Sequence, residues 1–432
     1  MSTKIQSKKL TTSTSKNLDE KLLELQKDLK QIYNEFKSDN GGKLADYIPQ
    51  LANVDPELFG ISVTTVDGKE INIGDVDEKF CIQSCSKPLT YGVAIEDNGI
   101  EKVNEHIGIE PSGQSFNAFI FNNENKPFNS LINSGAIVSA SLIKTTDTED
   151  KRFEYMMSIW KNVVGKNNVG FDNATYLSEK RTANRNRALS YAMMENGVFP
   201  DGTDIEKNLE LYFQLCSLTM NCSSMSKYAA MLANRGVSVA TKDRVLSSEV
   251  VKNVLCVMYS AGMYDYSGRW AYHVGLPAKS GVSGCIMAVV PNMFGICVYS
   301  PRLDKIGNSY RGIKVFEKLT SMYRLHIFDT GLDKKKNLFG TKTDVVNEVF
   351  DACKNNNHSL LERLLSDNEI NLNKGDYDKR CPLHIAVDEK SYECITLLIK
   401  KGADYNVKDR WGVSPLSKAI ELEDVKIIEN FQ

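Results

Sequence analysis

Serine and lysine carry most of the chemistry this chain offers. Ser-x-x-Lys puts a hydroxyl and an amine on one face of a helix, where a neutral amine can take the hydroxyl proton and leave a nucleophile. The pattern occurs at Ser13/Lys16, Ser84/Lys87, Ser141/Lys144, Ser158/Lys161 and Ser224/Lys227. Context separates Ser84 from the others. It follows a short apolar run, Phe80-Cys81-Ile82-Gln83, and opens a predicted helix with Pro88 in its first turn. Proline is tolerated there because those amides have no intrahelical partner. The same free N–H groups and the positive end of the helix dipole favour a developing oxyanion beside the hydroxyl. A second element, Lys279-Ser280-Gly281-Val282-Ser283-Gly284, precedes an apolar run from Cys285, and its glycines allow backbone to approach a substrate closely. Other chemistries find no support. The five histidines, at 106, 273, 326, 358 and 384, are scattered, and no His-Glu-x-x-His or phosphate-binding Gly-x-x-x-x-Gly-Lys-Ser/Thr motif occurs. No metal site is expected.

The elements that must position these residues follow from pattern and composition. The chain has 432 residues, 42% hydrophobic and 25% charged, which is ordinary for soluble globular protein and long enough for two to three domains. Lys+Arg 53 against Asp+Glu 55 gives a formal charge of −2 and argues against nucleic-acid binding. Ten cysteines without a Cys-x-x-Cys pair suggest a reduced, intracellular setting, in cytosol or mitochondrion. The apolar stretch Val282–Tyr299 is broken by Pro291, Asn292 and Gly295, so it reads as two strands and not a membrane span. Residues 1–16, rich in Ser, Thr and Lys, read as disordered or as a targeting segment, giving a leader over 1–17. A helical segment over 18–40 follows, with apolar positions Leu22, Leu23, Leu25, Leu29, Ile32, Tyr33 and Phe36. It is free to pack on the main domain or to pair between subunits.

Between 41 and 328 the chain reads as one α+β domain. Gly60–Val66 and Ile71–Gly74 form a hairpin through Asp67-Gly68, and Cys285–Val290 with Met293–Tyr299 form another. The stretch 88–260 between them is largely helical. Strands at both ends predict one antiparallel sheet closed by its termini, with a helical subdomain inserted. Residues 329–344 read as a linker. Beyond it, Asp376, Pro382, Leu383 and Ala386 recur as Asp409, Pro415, Leu416 and Ala419, an offset of 33. That period with Pro-Leu-His-x-Ala resembles ankyrin repeats, about two and a half units over 345–428. Such arrays bind partners, and His384 is expected to be structural.

Ser-x-x-Lys followed far downstream by Lys-Ser/Thr-Gly on a strand is also the order found in serine β-lactamases and penicillin-binding enzymes. Their intervening Ser-Asp-Asn is out of place here, at Ser38-Asp39-Asn40 and Ser366-Asp367-Asn368. The wider sequence resembles a different branch. Tyr47-Ile48-Pro49-Gln50-Leu51, Gln83–Leu89, Glu110-Pro111-Ser112-Gly113, Asn133-Ser134-Gly135-Ala136-Ile137, Tyr212–Ser217, Gly262-Met263-Tyr264-Asp265 and Gly275–Val282 resemble the serine-dependent glutaminases. The ankyrin-like tail resembles their animal, kidney/liver-like branch.

The resemblance implies a β-lactamase-like fold and hydrolysis of L-glutamine to L-glutamate and ammonia through an acyl-enzyme. It implies Ser84 as nucleophile, Lys87 as its activating partner and Tyr264 as proton relay. Tyr47, Gln83, Asn133, Glu179, Asn186 and Tyr212 would bind substrate, and the backbone N–H groups of Ser84 and Val282 would form the oxyanion hole. It also implies phosphate as activator, no other cofactor, and a homotetramer built as a dimer of dimers, with the stretch around Phe119-Ile120-Phe121 at a subunit contact. Two other readings compete: a different acyl-serine hydrolase, and an inactive hydrolase-like scaffold serving the repeats.

Overall fold

The structure is a computed structural model. It describes residues 4–115, 117–329, 335–336, 342–367 and 370–431, with side chains from Glu20 onward except at 342–345 and 367. The chain forms two compact units, Met1–Phe328 and Asp329–Gln432.

The first unit is built on a five-stranded antiparallel sheet. Its strands are β1 (Gly60–Thr65), β2 (Glu70–Gly74), β6 (Ala278–Gly281), β7 (Cys285–Val290) and β8 (Phe294–Tyr299), in the order β2-β1-β8-β7-β6. The two expected hairpins are β1–β2 and β7–β8, and the pairing of β1 with β8 closes the sheet through its sequence ends, with Gly60 opposite Tyr299 and Thr65 opposite Phe294. Every residue of β1, β7 and β8 is buried; β7 and β8 read as continuous apolar runs, whereas β1 alternates Ile61 and Val63 with the buried hydroxyls of Ser62 and Thr64. Helix Cys222–Ala233 lies across the sheet at close range. A Cβ on Gly295 would fall 2.1 Å from the Ala230 nitrogen, so only glycine lets β8 and the helix approach this closely. Ser226 Oγ meets the hydroxyls of Ser62 and Thr64 at 2.9 and 2.7 Å, which satisfies the polar groups this contact buries.

The long N-terminal helix, Lys4–Phe36, packs on helix Tyr310–Met322 of its own unit. Leu22, Leu25, Leu29 and Ile32 are buried there while Leu23 is exposed. Each buried side chain contributes about 1.5–3 kcal/mol. Tyr323 closes the contact by donating to Asp28 at 2.5 Å. The helix is continuous from Lys4, which corrects the expectation of an unstructured leader over 1–17; Met1, Ser2 and Thr3 lie outside the described residues. No glycine or proline lies between Lys4 and Phe36 to stop a helix propagating backward from its packed end.

The stretch 88–260 is mostly helical, as expected, but it also contributes to a small second sheet. β3 (Phe80–Cys81), β5 (Leu218–Met220) and β4 (Gly170–Phe171) pair antiparallel in the order β3-β5-β4. Strands of two or three residues leave no periodic signal in a sequence.

In the second unit, paired short helices repeat. Asp376 Oδ1 accepts the N–H groups of Asp378 and Arg380 at 2.8 and 2.9 Å. Thirty-three residues on, Asp409 Oδ1 accepts those of Trp411 and Val413, both at 2.9 Å. The repeated aspartate is thus a turn-former. His384 is buried, accepts the Cys381 N–H at 3.1 Å and donates from Nε2 to the Val413 carbonyl at 3.1 Å, joining two successive repeats within this unit.

Candidate active site

Ser84 sits in a 3-10 turn, Gln83–Ser86, between β3 and helix Lys87–Asn98. The α-helix therefore begins three residues after Ser84, and Pro88 lies in its first turn as expected. Gln83 has φ +49°, in the left-handed region that bulky residues avoid. Such strain persists only where surrounding contacts over-determine it, and here it sets the turn that presents Ser84. The end of β6 presses against this turn. A Cβ on Gly281 would lie 3.0 Å from the Ile82 carbonyl and 3.2 Å from Cys85 Sγ.

Two lysines lie buried behind Ser84. Lys87 donates to the Asn133 side-chain oxygen at 2.8 Å and to the Leu131 carbonyl at 3.3 Å. Burial pushes its amine down to about 8. Lys279, on β6, is fully buried and donates to the Ser280 carbonyl at 2.7 Å. Burial first, then the positive charge of Lys87, brings it down to about 7. Its ammonium stands 4.6 Å from the centre of the Tyr264 ring. Tyr264 donates to the same Ser280 carbonyl at 3.0 Å and is hydrogen-bonded to Ser84, and burial raises its phenol far above the usual range.

In front of Ser84 lies a cleft of about 280 Å³. Of the ten residues singled out in the sequence, Tyr47, Gln83, Ser84, Asn133, Glu179, Asn186, Tyr212 and Val282 line it; Lys87 and Tyr264 stand behind Ser84. Four separate helices deliver the polar lining: Asn173–Arg181 carries Glu179, Asn184–Glu195 carries Asn186, Ile205–Cys216 carries Tyr212, and Asn133 begins Asn133–Ser141. Glu179 Oε1 accepts from Tyr47 at 2.9 Å and from Gln83 at 3.0 Å. Burial raises its carboxyl above the ordinary value, and these two hydrogen bonds with the charge of Lys87 pull it partly back. Asn133 Nδ2 donates to Asn186 at 3.1 Å, so Lys87, Asn133 and Asn186 form one chain of contacts.

Further residues stand beside these ten. Arg185 lines the mouth and donates to the Asn117 carbonyl at 3.3 Å. Thr182 and Ala183 line the cleft beside it. Cys216, also in the lining, is hydrogen-bonded to Tyr212, and burial raises its thiol to about 12, so it stays protonated. Lys279 was visible as part of Lys-Ser-Gly, yet nothing in one strand tells a buried amine from a loop lysine. Among the described residues no cluster of three or more His, Cys, Asp or Glu side chains is arranged to hold a metal.

Comparison with known proteins is decisive at this point. The Glutaminase family model matches residues 42–328. The chain belongs to the glutaminase family. An ankyrin-repeat model of three copies matches residues 339–429, a longer span than the two and a half units expected. The chain is 41% identical over 411 residues to the mitochondrial liver isoform of glutaminase from Mus musculus, covering 93% of this chain and 68% of that protein. It is 44% identical over 306 residues to the glutaminase of Nostoc sp., covering 71% of this chain and 90% of that one. The solved structure of the probable glutaminase ybaS superposes with TM-score 0.66 at 36% identity, over 71% of this chain and 98% of that chain. Mglu in its tris and glutamate form superposes with TM-score 0.67 at 35% identity, over 71% of this chain and 68% of that chain. This glutaminase has the α+β, β-lactamase-like fold of its relatives, followed by ankyrin repeats, and hydrolyses glutamine to glutamate and ammonia.

Proposed function

We propose that this glutaminase acts through a covalent γ-glutamyl ester on Ser84. The observation that carries this is the contact of the Ser84 side chain with Tyr264, one turn from a buried lysine whose amine is pushed down to about 8. A primary amide is a poor electrophile, and an acyl-enzyme divides its hydrolysis into two lower barriers. Lys87, in its neutral form, takes the Ser84 proton as Oγ attacks the side-chain carbonyl of glutamine. The N–H groups of Ser84 and Val282 hold the oxyanion. Tyr264 passes a proton to the departing nitrogen, ammonia leaves, and water attacks the ester by the reverse relay to release glutamate.

Glu179 receives the substrate's α-ammonium, supported by Tyr47 and Gln83. Asn186, Asn133 and Tyr212 offer donors to the α-carboxylate, and Arg185 adds a positive charge at the mouth. The substrate is a zwitterion handled by local groups, which accords with a net charge of −2. We further propose that residues 41–328 form the catalytic domain behind a helical segment over 18–40, that 329–344 link it to protein-binding repeats over 345–428, that the enzyme is a homotetramer, and that phosphate activates it. It needs no other cofactor. Among the described residues no helix is long and apolar enough to cross a membrane. The mitochondrial name of the mouse relative makes the mitochondrion a compartment to test beside the cytosol.

The test is ammonia release from L-glutamine by the wild type and by Ser84→Ala, with and without phosphate. Release abolished in the variant supports the mechanism; equal release by both would remove Ser84 from it. Acylation of Ser84 by penicillin would favour a broader acyl-serine hydrolase.

A further inference from the structure

Tyr264 carries a second strained backbone at this site, with φ +55°. For an aromatic residue the left-handed region is unfavourable and needs something to impose it. Two buried side chains supply that constraint. Ser267 Oγ accepts the Met263 N–H at 3.0 Å and donates to the Tyr264 carbonyl at 2.7 Å, so one hydroxyl spans the peptide unit on both sides. Asn308 Nδ2 donates to the Met263 carbonyl at 3.3 Å, which also accepts the Tyr266 N–H at 3.1 Å. Asn308 is fully buried and its own backbone is fixed, because Asp304 Oδ1 accepts the N–H groups of Ile306, Gly307 and Asn308 at 2.8, 2.8 and 3.0 Å. The same loop backs the phenol ring: a Cβ on Gly307 would sit 3.8 Å from Tyr264 Cε2.

We propose that Ser267 and Asn308 are positioning residues for the reaction, clasping Tyr264 in the left-handed conformation from which its hydroxyl reaches Ser84 and the Ser280 carbonyl. Release of the clasp lets φ fall back to negative values. That turns the Cα–Cβ bond and swings the hydroxyl off Ser84. Proton transfer depends on hydrogen-bond contact, so the loss falls on turnover and spares substrate binding. The clasp lies behind Tyr264, away from Glu179, Asn186 and Tyr212. The inference rests on Tyr264 being the proton relay.

A kinetic double-mutant cycle on the full-length enzyme tests it, with Ser267→Ala, Asn308→Ala and Tyr264→Phe alone and in pairs. Each clasp variant is expected to lower kcat for L-glutamine about tenfold with KM within about twofold, and Ser267→Thr, which keeps the hydroxyl, to recover most of it. In the Tyr264→Phe background neither clasp variant should lower kcat further, because the group it positions is already gone. Undiminished kcat in both clasp variants, or the same loss in the Tyr264→Phe background, would overturn the inference. If Ser267→Ala does not fold, Asn308→Leu, which keeps about the same volume and removes the donor without adding a charge, runs the same cycle. A Tyr264→Phe enzyme with wild-type kcat would instead overturn the relay itself, and the single variant shows that separately.

Discussion

In the proposed mechanism Lys87 acts in its neutral form, which its burial favours. With its amine at about 8, roughly one molecule in ten holds it uncharged at pH 7. The acid limb of kcat/KM should therefore bend near pH 8 and fall about tenfold per pH unit below it, as a rate profile in L-glutamine would show. Burial also has a cost in stability. Between about 8 and the ordinary 10.5 the unfolded lysine holds a proton that the folded one has lost. Stability therefore rises with pH across that window, and the penalty is constant below it. A shift of this size corresponds to about 3 kcal/mol. Lys87→Met removes it but orphans the acceptors on Asn133 and Leu131, which returns about 1–2 kcal/mol. The inactive variant should thus be more stable at pH 7 by about 1–2 kcal/mol, with the advantage shrinking toward pH 10; denaturant melts at both pH values measure it. Glu179 bears on binding. Glu179→Gln keeps the shape and loses the charge, so KM for L-glutamine should rise about 10–100-fold with a smaller change in kcat.

At the scale of elements, β6 is what brings Lys279 and Val282 to Ser84, and Gly281 is where it touches. Gly281→Ala puts a methyl 3.0 Å from a backbone oxygen that cannot swing aside, so β6 must withdraw from the Ser84 turn. Expected are a kcat lowered at least tenfold and a melting temperature lowered by only a few degrees, read by steady-state kinetics and calorimetry. The same scale shows what was legible in the sequence. The hairpins β1–β2 and β7–β8 stood out because Asp67-Gly68 and Pro291-Asn292 interrupt apolar runs, and the repeat because aspartate recurs at the head of each turn. The sheet β3-β5-β4 did not, since its pairing joins short pieces from positions 80, 170 and 218. Nor did the burial of Lys279 or the left-handed φ of Gln83 and Tyr264, which are set by neighbours distant in the chain. The residues that line the cleft were legible as blocks in family order. No single tyrosine or asparagine among them announces its place in a cleft.

For the whole molecule, the first unit contains Ser84, Lys87, Tyr264 and the complete cleft lining, and it has its own core. The Nostoc relative is nine-tenths covered by 306 aligned residues, which leaves little of it for a repeat array like this one. A chain ending at Phe328 is therefore expected to fold and to release ammonia from L-glutamine with kcat/KM within a few fold of the full chain, a comparison one coupled assay makes. Length suggested two to three domains, and one fold absorbed most of it: residues 42–328 match a single family. The central claim for that fold is the ester on Ser84, and rapid-quench mass spectrometry of the enzyme mixed with L-glutamine tests it most directly. The expected result is a γ-glutamyl group on the peptide containing Ser84 that forms within the first turnover and is absent from Ser84→Ala. Ammonia released over the first turnovers with no adduct on Ser84 at any quench time would contradict it.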